Sequence, residues 1–192
     1  MMTRPAPISR RAALAGLGAA AGVAALPAGV AAQGFQLDPV WWPTRVATKE
    51  NFAPNQLLVA TAERFLYWID QPGAAIRYGI GVGQAGLEFT GSAVIGAKKE
   101  WPSWTPTPDM IERDPEAYLK YEDGMPGGPA NPLGARALYL FKDGADTFFR
   151  IHGTNAPQTI GTNASNGCIR MVNEHVMDLY ERVPLGTPVF VV

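Results

Sequence analysis

Short apolar runs separated by turn residues dominate the chain from residue 55 onward, and they read mostly as short strands. Leu57-Leu58-Val59-Ala60 and Phe65-Leu66-Tyr67-Trp68-Ile69 flank a short polar turn, and Gln71-Pro72-Gly73 follows as a second turn, the pattern of a hairpin. Further strands are expected over Arg77 to Val82, Ala93 to Ala97, Ala137 to Phe141, Thr147 to His152 and Val189 to Val192. With 21 glycines and 17 prolines as punctuation, the pattern predicts a mainly β sandwich or barrel of mixed sheets with one or two short helices. One helix is well marked. Asn173 is placed to cap it, Glu174 and His175 open it, Val176, Leu179, Tyr180 and Val183 form its apolar stripe, and Pro184 stops it.

The strand pattern fails between Lys98 and Pro132. Trp101-Pro102-Ser103-Trp104-Thr105-Pro106-Thr107-Pro108 leads into a short helical stretch, Asp109 to Leu119, and then into Gly124-Met125-Pro126-Gly127-Gly128-Pro129. A segment of this length and irregularity inside a compact domain reads as a functional loop or lid. Its two tryptophans would line a substrate groove or cover a sheet edge.

The first 32 residues have a different character. Arg4, Arg10 and Arg11 precede an uncharged Ala/Gly/Leu/Val stretch that ends in Ala31-Ala32, the order of a cleaved export signal. Paired arginines before a weakly apolar core point to the twin-arginine route. Such a core is a poor anchor, so no stable membrane insertion is expected after cleavage. Residues 33–54 then read as a linker and 55–192 as one domain. The chain beyond residue 32 carries 13 basic and 17 acidic groups, a mildly acidic balance that argues against nucleic acid as a partner. A monomer is the expected state.

Cys168 is the only cysteine, so an exported chain cannot use it for an internal disulfide. It lies in Ser165-Asn166-Gly167-Cys168-Ile169-Arg170, sixteen positions after His152-Gly153-Thr154. A thiol near its usual pKa of ~8.5 is mostly protonated at neutral pH, and a nucleophilic cysteine needs a base beside it. His152 is the best base available, since His175 falls in the first turn of the expected helix. Gly167 fits a tight turn that exposes the sulfur and presents backbone N–H groups to an oxyanion. If Cys168 begins a strand, Arg170 shares its face, where it would favour the thiolate and hold a substrate carboxylate. Ser165 shapes the turn, and Gly153 and Thr154 either orient the imidazole or meet the substrate backbone. A zinc site has no supporting CxxC or HExxH spacing, and no metal or other cofactor is expected.

These motifs resemble the L,D-transpeptidase catalytic domain of bacterial cell-wall enzymes, whose pattern is a histidine followed by Gly-Thr and then Ser-x-Gly-Cys-Ile-Arg. The resemblance extends upstream through Gly81-Val82-Gly83 and Asn131-Pro132-Leu133-Gly134, and downstream through Met171, Asn173, Leu179 and Gly186-Thr187-Pro188-Val189, covering about residues 55 to 192. Asn166 stands where many relatives have histidine, and no peptidoglycan-binding repeat accompanies the domain.

The resemblance implies that Cys168 attacks the L-centre carbonyl of diaminopimelate in a peptidoglycan stem peptide and expels D-alanine. His152 would be the base, Gly167 and Cys168 would offer oxyanion N–H groups, and Arg170, Ser165, Asn166, Gly153 and Thr154 would hold substrate. An amine acceptor, from another stem, a free D-amino acid or a protein, would then resolve the thioester into a 3-3 crosslink or related linkage. It places the protein in the periplasm or cell envelope. An L,D-carboxypeptidase using the same pair, a non-catalytic wall-binding module with a structural Cys168, and a dimer linked through that thiol are the other readings.

Overall fold

The computed structural model describes residues 35–49 and 52–192, and the expected export segment, residues 1–32, lies outside the described residues. The strands are β1 (Thr44–Ala47), β2 (Gln56–Ala60), β3 (Phe65–Gln71), β4 (Ala74–Gly79), β5 (Val82–Gly83), β6 (Gly91–Glu100), β7 (Arg136–Lys142), β8 (Ala145–His152), β9 (Asn163–Ser165), β10 (Ile169–Arg170) and β11 (Pro188–Val191). The helices are α1 (Pro108–Arg113), α2 (Pro115–Tyr118) and α3 (Asn173–Arg182). Nine strands form one mixed sheet in the order β1-β4-β3-β2-β11-β6-β7-β8-β10, while β5 and β9 pair separately. Pairing in the large sheet is parallel at β2 with β11 and at β8 with β10, and antiparallel at the other junctions. The mainly β fold with mixed sheets expected from the short strands and their turn punctuation is thus observed.

Alternation also decides which face is buried. Leu57, Val59, Leu66, Trp68, Leu138, Leu140, Val189 and Val191 all point into the core, where Val176 and Leu179 of α3 join them. Burying an aliphatic side chain of this size contributes about 1.5–3 kcal/mol, so a one-residue register slip in any of these strands would forfeit several such terms. The sheet order nearly closes on itself. Gly81, two residues beyond β4, exchanges both backbone hydrogen bonds with Arg170 of β10, at 2.9 and 2.8 Å. A Cβ at position 81 would lie 2.7 Å from the Thr159 carbonyl oxygen, so this closure requires glycine.

Three expectations change. Residues 33–54 are not simply a linker: Thr44–Ala47 adds an edge strand to β4, and Trp41 packs on Phe65 with ring centroids 5.2 Å apart. The β6 strand runs on to Glu100, beyond the point where the apolar alternation ends. Its Lys98 ammonium donates to the carbonyls of Tyr180 (2.5 Å) and Val183 (2.8 Å), satisfying oxygens that the end of α3 leaves open.

Asn173 does not cap α3. The cap position is Val172, with no side-chain hydrogen bond. The Asn173 Oδ1 instead accepts the N–H groups of Ala135 (2.9 Å) and Thr154 (3.2 Å), two buried residues beside the strand ends of β7 and β8. Satisfying two buried donors outweighs one exposed cap. Asn173→Ala should therefore cost about 2–4 kcal/mol in urea unfolding, whereas Asn173→Asp, which keeps an acceptor oxygen, should cost less. Equal losses in the two variants would contradict this role.

Candidate active site

The parallel pairing of β8 and β10 aligns His152 with Arg170 and Ile151 with Ile169. Residues aligned in this way share a face, and each strand repeats with a period of two. Ile151 and Ile169 enter the core, so the opposite face carries His152, Arg170, Arg150 and Cys168. All four line a cavity of about 610 Å³. The structure therefore brings the two residues of the expected Cys–His pair to one cleft.

His152 is only 4% exposed. Its Nδ1 lies 2.6 Å from the Gly153 carbonyl oxygen. A carbonyl can only accept, so Nδ1 carries the proton and Nε2 keeps a lone pair. Burial, helped by the nearby Arg170 and Arg150 charges, pulls the imidazole pKa down to about 4 despite that hydrogen bond. The Cys168 thiol is shifted the other way. Burial pushes it up, partly offset by a backbone N–H from Arg150 and by the Arg150 and Arg170 charges. Both shifts favour a neutral thiol and a neutral imidazole at rest, lining one cleft without a hydrogen bond between them. The sulfur sits 3.9 Å from the Phe148 carbonyl oxygen, a weak S–H contact.

The turn that carries the thiol is fixed from behind. The Ser165 hydroxyl donates to the Cys168 carbonyl at 2.5 Å and accepts the Gly167 N–H at 3.1 Å, which is the local shaping role expected of it. Gly167 has φ +117°, and a Cβ there would lie 2.7 Å from Phe149 Cε1. The expectation that Gly167 also donates into an oxyanion hole is corrected, because its N–H is already taken by Ser165. The Cys168 N–H has no hydrogen-bond partner among the described residues. Gly153 and Thr154 do not line the cavity. Gly153 acts through its carbonyl on His152, and buried Thr154 is held by Asn173 and by the Ala156 N–H.

The segment 98–132 forms the opposite wall of the cavity. The single helix expected there breaks in two, because Pro115 has no N–H to continue it and Asp114 caps the second piece by accepting from Ala117 N. Trp104 lines the cavity and packs on Tyr118 and Tyr121, with ring centroids 6.2 and 6.0 Å away. Trp101 does not line it. Asn166 ties this wall to the nucleophile turn: its Nδ2 donates to the Tyr118 hydroxyl, and its Oδ1 accepts from Arg113 Nη2, both at 3.1 Å.

Sequence reasoning missed Arg150, Arg113 and Tyr118. Strand period from His152 points back to Arg150, but nothing local marks the other two. Arg170 makes no ion pair among the described residues, whereas Arg150 is paired with Asp146 at 2.6 Å. His175 packs beside Tyr78, away from this cleft.

The family model described as the L,D-transpeptidase catalytic domain matches residues 54–191, a span that includes both His152 and Cys168. A protein of Fuscovulum blasticum whose name places it among L,D-transpeptidases is 35% identical over 96% of this chain and 98% of its own length. "Probable L,D-transpeptidase ErfK/SrfK" of Escherichia coli is 35% identical over 71% of this chain. The chain spans 43% of the length of that relative. A crystal structure from Brucella melitensis, described as a probable carnitine operon oxidoreductase, is 54% identical over 81% of this chain and 96% of its own, with a TM-score of 0.56. That description names another reaction class and applies to the Brucella protein.

The opposed shifts at the cleft have a direct chemical consequence. With the thiol pKa raised, the rate of Cys168 alkylation by iodoacetamide should climb at a higher pH than for a free thiol, whose midpoint is near ~8.5. A midpoint below neutrality would contradict the neutral pair.

Proposed function

The chain belongs to the L,D-transpeptidase catalytic domain family, and on that premise we propose that it transfers peptidoglycan stem peptides through a thioester on Cys168. The observation that carries this reading is the shared register of β8 and β10, which gives a neutral imidazole and the chain's single thiol one face of one cleft.

The donor is a tetrapeptide stem. As Cys168 Sγ bonds to the L-centre carbonyl carbon of diaminopimelate, its proton passes to His152 Nε2. Transfer ahead of attack is uphill, because the thiol is raised and the imidazole is at about 4, and each unit of mismatch costs ~1.4 kcal/mol. General-base transfer concerted with attack avoids that ion pair. The Cys168 N–H is the available donor to the oxyanion. The resulting imidazolium is a strong acid in this buried site and protonates the nitrogen of D-alanine as the C–N bond breaks. Arg170, half-buried and without a carboxylate partner, binds the carboxylate of that leaving residue.

His152, neutral again, takes a proton from the acceptor amine as the amine attacks the thioester. Sulfur leaves and recovers a proton from the imidazolium. A thioester is readily aminolysed, which lets an amine compete with water. Residues 1–32 would direct this chemistry to the periplasm or cell envelope. Among the described residues, no helix is long and apolar enough to cross a membrane.

Purified disaccharide-tetrapeptide incubated with the protein should release D-alanine and yield a 3-3 dimer by mass spectrometry, and Cys168→Ala should yield neither. Tripeptide without dimer would identify a carboxypeptidase. Unchanged substrate, tested also with free D-amino acids as acceptors, would contradict an acyl-transfer enzyme.

A further inference from the structure

Two of the three guanidinium groups at the cavity have no carboxylate partner. Arg150 is held bidentately by Asp146, at 2.6 and 2.8 Å, and stacks 4.2 Å from the Tyr139 ring centroid. Arg170 and Arg113 form no ion pair among the described residues. Two acids also line the cavity: Glu88, which accepts the Gly86 N–H at 2.7 Å, and Asp109, which lies in the first turn of α1, one turn before Arg113. Arg170 and Arg113, on facing walls, thus reach the cleft with neither guanidinium engaged by Glu88, Asp109 or any other acid among the described residues.

Arg113 is placed with care for an exposed side chain. It ends α1 on the lid wall, and Asn166 fixes one of its N–H groups at 3.1 Å. The same amide donates to Tyr118, whose ring packs on Trp104. Among the described residues the rest of its donor fork has no hydrogen-bond partner, and Arg113 lines the cavity, where a guanidinium can take a carboxylate. Asn166 is two residues from Cys168, so whatever Arg113 binds is registered against the reacting sulfur.

We propose that Arg113 binds the carboxylate at the D-centre of the diaminopimelate side chain, with Asn166 as its positioning residue. This rests on the stem-peptide reading above and deepens it. The D-alanine carboxylate lies close to the scissile carbonyl and suits Arg170, which is on the nucleophile's own strand. The D-centre carboxylate lies three methylenes from the L-centre and suits a cation across the cavity. Amidation of that carboxylate would remove the charge that Arg113 recognises, so this contact makes the enzyme a reader of stem amidation.

Binding, read apart from turnover, tests the inference. Calorimetry on Cys168→Ala protein uses two tetrapeptide stems that differ only in whether the D-centre carboxyl is free or amidated. The free form should bind about tenfold to a hundredfold more tightly. Adding Arg113→Gln should erase the preference by weakening the free form alone, and adding Asn166→Ala should reduce it without moving the thermal midpoint. No preference in the parent, no binding of either stem, or equal weakening of both stems by Arg113→Gln would overturn the assignment. D-Alanine release by the Cys168 protein, measured separately, judges the stem-peptide reading itself.

Discussion

Everything at the cleft depends on one hydrogen bond from a buried ring nitrogen to the carbonyl of the next residue. His152 has little solvent around it, and the Gly153 oxygen gives its Nδ1 proton the one place to go. That contact selects the tautomer and leaves Nε2 basic. It also requires the chain after β8 to turn so that the Gly153 carbonyl faces back along the strand. Asn173 secures this turn from α3 by holding the N–H of Thr154, and Arg136 accepts the N–H of Gly153. The base is thus oriented by main-chain atoms that packing has already fixed, and among the described residues no acid hydrogen-bonds to it.

The large sheet supplies the rest. A parallel β8–β10 pair cannot form from a hairpin, so the chain must leave β8, cross and return. The crossing passes through β9, the Ser165 hydroxyl and the φ +117° glycine at 167 before delivering Cys168. The thiol therefore sits at the end of an irregular turn, braced on one side by the sheet and on the other by the lid through Asn166. An asparagine with two lid partners couples the nucleophile's position to the wall that would contact substrate.

Much of the fold was legible because its strands are short apolar runs bounded by turn residues, as in Leu57 to Ala60 and Val189 to Val192. Residues that carry two signals were misread. Asn173 has the composition and position of a helix cap, yet tertiary donors from Ala135 and Thr154 claimed its side chain. Asp114-Pro115 broke the lid helix that was expected to run unbroken from Asp109 to Leu119. At the site, Cys168 and His152 stood out through rarity and spacing, and Arg170 through strand period. Gly167 was assigned two jobs, of which its geometry performs one. Arg113 and Tyr118 could not have been found locally, since they are about fifty residues from Asn166 and only the folded lid brings them to it.

The central claim is that His152 rests as a neutral, Nδ1-protonated imidazole in the same cleft as a neutral thiol. Nitrogen NMR of protein labelled at histidine tests this most directly, and only His175 must be told apart from it. The account predicts that His152 keeps one protonated nitrogen from pH 8 down through pH 5 and begins to titrate only near the low value of about 4. An imidazolium at neutral pH, losing its proton above the ordinary histidine value of about 6.5, would show a resting thiolate–imidazolium pair and contradict it.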